Sequence, residues 1–300
     1  MMKMVEYAGW PHCIRLSNDE MELTATTDVG PRIIHFGFTG GQNFLKNFDA
    51  QCGKSGGEEW RSYGGHRLWH APESVPRTYY PDNGPIEHEW DGETLTLKQP
   101  VEKSTGIEKQ IEVRLESDKN VVHLKNRLIN RNLWDVEAAP WALTVMDVGG
   151  RAIVPHEEFR PHSECLVPAR PLVLWYYTDM SDPRWTWGRK YIQLQQDISS
   201  KTPQKIGVLN TNGWAAYALN DELFIKKYPY KPDAVYTDYG CNTELFTNPE
   251  IIEVETLGPL VKLAPGDAAE HEETWLLSAT AVGSGEDEID SKVLPLLKSF

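Results

Sequence analysis

Basic residues are scarce in this sequence: 30 Lys and Arg stand against 44 Asp and Glu, a formal charge of −14 with nine histidines neutral. That balance argues against nucleic acid or an anionic membrane as partner, because both demand clustered Lys and Arg. Cysteine is also sparse. Cys13, Cys52, Cys165 and Cys241 are scattered and form no C-x-x-C pair, which excludes a zinc ribbon, a redox motif and a disulfide scaffold. No run approaches 18 consecutive apolar residues, so no transmembrane helix is expected. The first residues, Met1 to Pro11, lack the apolar core of a secretory signal, and the expectation is a cytoplasmic chain with free thiols. There is no Ser/Gly linker, internal repeat or low-complexity tract, so residues 1–300 are read as one domain.

What the sequence has in quantity is aromatic residues, 11 Trp, 12 Tyr and 8 Phe, and two-residue alternation. Residues 87–90 and 93–97 flank the turn Asp91-Gly92, a hairpin signal. Ile107–Leu115 and Val121–Ile129 alternate around a Ser117–Asn120 turn, and Trp214–Leu219 pairs with Leu223–Lys226 across Asn220-Asp221. Met21–Thr27, Arg32–Phe38, Ile251–Thr256 and Glu272–Leu277 have the same habit. Only Glu286–Ser299 reads as a short helix, and residues 42–63 show neither period. The prediction is an all-β, antiparallel protein of large facing sheets.

Unusual polar residues concentrate in two places. Glu58–Glu73 holds two His, two Arg, three acids and two Trp around Gly64-Gly65, and reads as a loop in which a glycine pair brings backbone close to a ligand and presents His66 and Arg67 beside it. Rings covering C–H faces and charged groups forking to hydroxyls would suit a sugar; the alternative is a surface loop whose charges pair with each other and whose Trp cap the core. His66 and His70 would share a face of a helix, but Gly64, Gly65 and Pro72 argue against that helix, and no metal is expected; His156 and His162 read as a solvated loop. The second concentration is Tyr236–Asn248, with Asp238 and Glu244, followed by Ile251–Pro259. In a strand, Glu253 and Glu255 share a face: either an ordinary solvent-facing pattern, or carboxylates able to act as a general base on a hydroxyl.

Two runs resemble the galactose mutarotase-like superfamily of aldose 1-epimerases, built on a β-supersandwich. The first comprises Ile14–Asn18, Met21–Thr27 and Gly30-Pro-Arg-Ile33; the second Val254–Thr256, Leu263-Ala-Pro-Gly266 and His271–Leu277. Gly64–Trp69 together with Glu253–Pro259 is similar to a bacterial branch for which only a carbohydrate-related role is implied. The resemblance implies a general base on the anomeric hydroxyl at Glu255, an acid that protonates the ring oxygen, and Asp and Arg side chains on sugar hydroxyls. The family's acid is a histidine on a mid-chain strand. The corresponding stretch, Ala139–Met146, has none, which leaves His66 or His70 to replace it. The expectation is therefore an epimerase-like enzyme with Glu255 and His66 catalytic, Arg67, His70, Asp238 and Glu244 on hydroxyls, and Trp69 stacking, with Trp60 and Trp141 beside it. It needs no cofactor, and its partner is a small-molecule carbohydrate, more easily neutral than anionic given the net charge. A hydrolase with Glu255 and Glu244 or Asp238 as paired carboxylates, a lyase with Arg67 or Arg151 against a uronate, and a non-catalytic sugar-binding protein are the alternatives.

Overall fold

The computed structural model describes residues 1–300. In chain order the strands are β1 (Met2–Tyr7), β2 (Trp10–Ser17), β3 (Met21–Thr26), β4 (Arg32–Phe38), β5 (Gly65–Ala71), β6 (Glu87–Trp90) and β7 (Thr94–Lys98). Then follow β8 (Ile107–Leu115), β9 (Val121–Asn130), β10 (Val136–Met146), β11 (Arg151–Pro155), β12 (Leu172–Leu174), β13 (Trp185–Trp187) and β14 (Tyr191–Gln195). The last are β15 (Gln204–Val208), β16 (Trp214–Leu219), β17 (Glu222–Lys227), β18 (Thr243–Thr247), β19 (Ile252–Leu257), β20 (Val261–Leu263) and β21 (Ala268–Ser278). A single turn, α1 (Thr237–Gly240), and the C-terminal α2 (Glu286–Leu297) are the helices, and neither is long and apolar enough to cross a membrane.

All pairings are antiparallel, and the strands form two large sheets. The first runs β1-β2-β3-β4-β5-β10-β19-β18-β15-β12 with β20 added beside β10; the second runs β13-β14-β11-β16-β17-β21-β9-β8-β7-β6. This is the expected all-β sandwich. The core lies between the sheets, where Ile14, Phe36, Leu68, Val113, Leu128, Val254 and Trp275 belong to one buried cluster. The helix α2 covers the far side of the second sheet, burying Ile289 and Val293 against Trp214 and Ile225. Short turns set the registers. Asp91 accepts from the Glu93 and Thr94 amides at 2.8 and 2.7 Å, and Asn220 takes a left-handed φ of 53° in the two-residue turn between β16 and β17.

One expectation fails in a way that matters for the site. The run after Gly64-Gly65 is not a loop but β5, a central strand with every residue buried. Its alternation is masked in the sequence because both faces carry polar or aromatic side chains. The glycine pair has a structural reason instead of a ligand: a Cβ on Gly64 would lie 2.0 Å from the Lys46 carbonyl oxygen, and one on Gly65 2.2 Å from that of Ile33. Both take left-handed φ, which folds the 42–63 excursion tightly against the entry to β5.

Candidate functional site

Period-two alternation along β5 sends Arg67 and Trp69 to the outer face of the first sheet, and His66, Leu68 and His70 inward, towards the second sheet. Register then collects their neighbours. Across β10, Arg67 lies opposite Leu143 and Trp69 opposite Trp141. Leu143 lies opposite Glu255 of β19, and Glu255 opposite Glu244 of β18. Glu253 faces Phe246, which faces Lys205 of β15. Five strands thus place Arg67, Trp69, Trp141, Lys205, Glu244, Glu253 and Glu255 on one face.

A cavity of about 350 Å³ opens on that face, with Trp60, Trp69, Tyr79 and Trp141 as an aromatic wall and Arg67, Lys205, Glu253 and the exposed Glu73 as its charged lining. The rings are mutually braced: Trp69 meets Tyr79 at 5.0 Å, Trp141 at 5.3 Å and Trp60 at 5.8 Å between centroids. The Arg67 guanidinium sits 4.5 Å from the Trp69 ring and donates to the Ser62 carbonyl and hydroxyl. Its carboxylate partner is Glu253, 3.6 Å away. Lys205 is shared, at 2.8 Å from Glu244 and 3.0 Å from Glu255, while its ammonium lies over both Trp141 and Trp175. Glu255 also accepts from the Trp141 indole N–H at 2.8 Å.

Three buried carboxylates therefore surround two cations, and the excess negative charge has consequences. Burial, reinforced by the charge of Glu255 and only partly offset by Arg67, raises the Glu253 pKa to about 7. Burial likewise pushes Glu244 well above the usual carboxylate range, with Lys205 opposing and Glu255 adding to the rise. Burial alone would lower Lys205, but Glu244 and Glu255 hold it protonated well above its ordinary value. Arg67 is lowered by burial to about 10 and stays charged at neutral pH. The groove thus presents two fixed cations and, in Glu253, a buried carboxyl group that exchanges its proton near pH 7.

Of the residues singled out in the sequence, the structure brings together Arg67, Trp69, Glu244 and Glu255, but it gives them different positions. Arg67 and Trp69 line the cavity. Glu244 and Glu255 lie beneath it, wholly buried, with Glu255 engaged by Lys205 and Trp141. Asp238 stands apart, on the left-handed turn α1 beside Tyr239, where it lines a neighbouring cavity.

His66 does not serve as the acid partner of Glu255, because the pleat of β5 turns it to the opposite side of the sheet. It is fully buried between the sheets, 3.0 Å from the Thr144 hydroxyl and edge-on to Trp275. Burial takes its pKa down to about 4. His70 points the same way and is paired with Glu102 at 3.3 Å, so it does not reach hydroxyls in the groove. No histidine lines the cavity. Nor is any group of three or more His, Cys, Asp or Glu side chains placed to hold a metal ion.

Of the site's other charged groups, Glu253 is visible in the sequence only as sharing a face with Glu255, and Lys205 is not visible at all. The signal for Glu253 was present in its spacing of two from Glu255. Lys205 had none, since only the pairing of β15 with β18 carries it to the two glutamates.

No protein-family model and no curated protein matches this sequence. Solved structures do match. A galactose mutarotase-like protein from Lactobacillus casei is similar over 89% of this chain and all of its own, at 11% identity and a TM-score of 0.57. A second, from Clostridium acetobutylicum, is similar over 93% of this chain and 98% of its own, at 10% identity and a TM-score of 0.52. A protein from Synechocystis sp. PCC 6803 is similar over 93% and 100%, at 12% identity and a TM-score of 0.58. The chain has the galactose mutarotase-like fold.

Proposed function

We propose that this chain acts on a free sugar bound in the Trp69–Trp141 groove, interconverting its anomers with Glu253 as the proton-moving group. The observation that carries the reading is the meeting, in one cavity, of an aromatic wall, Arg67 and a carboxyl group that titrates near neutrality. Indole and phenol rings cover the C–H faces of a sugar, and Arg67 forks to its hydroxyls. Ionised Glu253 takes the proton of the anomeric hydroxyl. The ring C–O bond opens towards the cationic side of the groove, and Glu253 returns the proton to the ring oxygen. Closure on the other face of the carbonyl reverses these steps. Glu255 takes no proton from the sugar in this scheme; with Glu244 it keeps Lys205 charged and in place. Glu244 and Glu255 are wholly buried beneath the cavity and both are engaged by Lys205, which disfavours them as a hydrolase pair.

Magnetisation-exchange NMR on a panel of aldoses tests the proposal. Exchange between anomers above the buffer rate, lost in Glu253→Gln, is the expected result. Equal rates for wild type and Glu253→Gln across the panel would sink it. The absence of histidine from the groove favours a second reading, sugar binding without turnover. Saturable binding in titration calorimetry with no exchange at any sugar would establish that reading in its place.

A further inference from the structure

Beyond Lys205 the outer face of the first sheet continues into a second cavity of about 410 Å³, lined by Val173, Leu174, Trp175, Tyr176, Asp238 and Tyr239. Trp175 joins the two. Its ring lies 4.8 Å from the Lys205 ammonium, and a Cβ on Gly207, opposite Glu244, would meet it at 3.2 Å. The next residues divide between the cavities, Tyr176 in the second and Tyr177 in the first. Tyr176 and Tyr239 are unusually bare for large aromatic residues, at 111% and 91% exposure. Tyr239 is also held at φ 59°, directly after Asp238 at φ 51°, a conformation that non-glycine residues adopt only when their surroundings enforce it. Two exposed rings, one of them on a constrained turn, beside a carboxylate and joined through Trp175 to a sugar-sized cavity, have the composition of a stacking subsite.

We infer that the groove accepts a linear oligosaccharide, its reducing-end ring against Trp69 and Trp141 and its second ring between Tyr176 and Tyr239. This rests on the proposed sugar reading and specifies its substrate class. Asp238 then accepts from hydroxyls of the second ring, and Trp175 forms the step between the two rings. A monosaccharide fills only the first cavity.

Titration calorimetry and anomer exchange would be measured with glucose, maltose and cellobiose, and with galactose and lactose. The expected result is that at least one disaccharide binds about tenfold more tightly than its monosaccharide, the gain two stacked rings supply. The double variant Tyr176→Ala, Tyr239→Gly, exposed in both positions and relieved of backbone strain, should remove that gain and leave monosaccharide binding unchanged. Equal affinity for mono- and disaccharides, or a preference that survives the double variant, would overturn the inference while leaving the sugar reading intact. No binding of any sugar overturns both.

Discussion

One strand, β5, separates two polar networks that differ in what they do with charge. On its outer face Arg67 and Lys205 line an open cavity with Glu253, above the buried Glu244 and Glu255. On its inner face His66 joins a closed cluster between the sheets, in which Lys226 pairs with Glu273 at 2.9 Å and donates to Thr144. Thr256, His271 and Asn126 complete that cluster, hydrogen-bonded to Glu273, to Thr256 and to the His271 carbonyl respectively. The inner cluster is balanced: burial would raise Glu273, but Lys226 and the two histidines bring it down to about 2. Burial meanwhile leaves His66 and His271 neutral, each lowered to about 4. The outer cluster is unbalanced, and Glu253 bears the imbalance as a pKa of about 7. A satisfied buried network specifies packing, whereas an unsatisfied one at a cavity is poised to exchange protons with a ligand.

The largest expected effect separates the two by stability. Lys226→Met leaves Glu273 buried without its cation and should cost about 3–5 kcal/mol, read as a shift in the urea midpoint; the double variant with Glu273→Gln should recover most of it. A loss under about 1 kcal/mol would show that water reaches the cluster and that it is not closed.

Trp69→Ala comes next. It removes the ring that braces Trp60, Tyr79 and Trp141, and should cost about 3 kcal/mol on unfolding as well as most sugar affinity in calorimetry. Affinity retained at wild-type level would place the sugar elsewhere.

The pH profiles of the two networks should run in opposite directions. His66 and His271 are bases whose pKa values burial lowers in the folded state, so the unfolded chain takes up protons first as pH falls from 6.5 towards 4. Their contribution to stability declines across that window. Glu253 is an acid raised in the folded state, so its stabilising contribution is present below 4.5 and lost as pH rises through about 7. Relative to wild type, Glu253→Gln should therefore gain stability as pH rises from 4.5 to about 7 in paired denaturant titrations. The same titration makes anomer exchange fall as pH drops below about 7, where the base form of Glu253 disappears. A flat difference between the two proteins would remove Glu253 from its assigned role.

The smallest effect is the sharpest for the assignment. His70→Gln changes a side chain that faces Glu102, so sugar binding and exchange should stay within about twofold of wild type, as expected for a site with no contact to the ligand. A loss of about tenfold in exchange at unchanged stability would return His70 to the groove.

Much of the fold is legible in the alternation. The hairpins at Asp91-Gly92 and Asn220-Asp221, the pairing of Ile107–Leu115 with the following strand, and the terminal helix all stand where period and turn residues predict them. The strand Gly65–Ala71 was hidden, because its inner face is as polar as its outer one and the apolar–polar contrast that marks a strand is missing.

By itself the sequence determined the secondary-structure period and the placing of Glu253 and Glu255 on one face, since these follow from local geometry along a single strand. Only the tertiary structure decided which carboxylate meets the cavity, that Lys205 bridges Glu244 and Glu255, and that His66 and His70 lie behind the sheet. Those outcomes depend on strand order and on register between segments as distant along the chain as Arg67 and Glu255, joined only through Leu143 between them. Pairing over such separations leaves no mark in the local pattern of either segment.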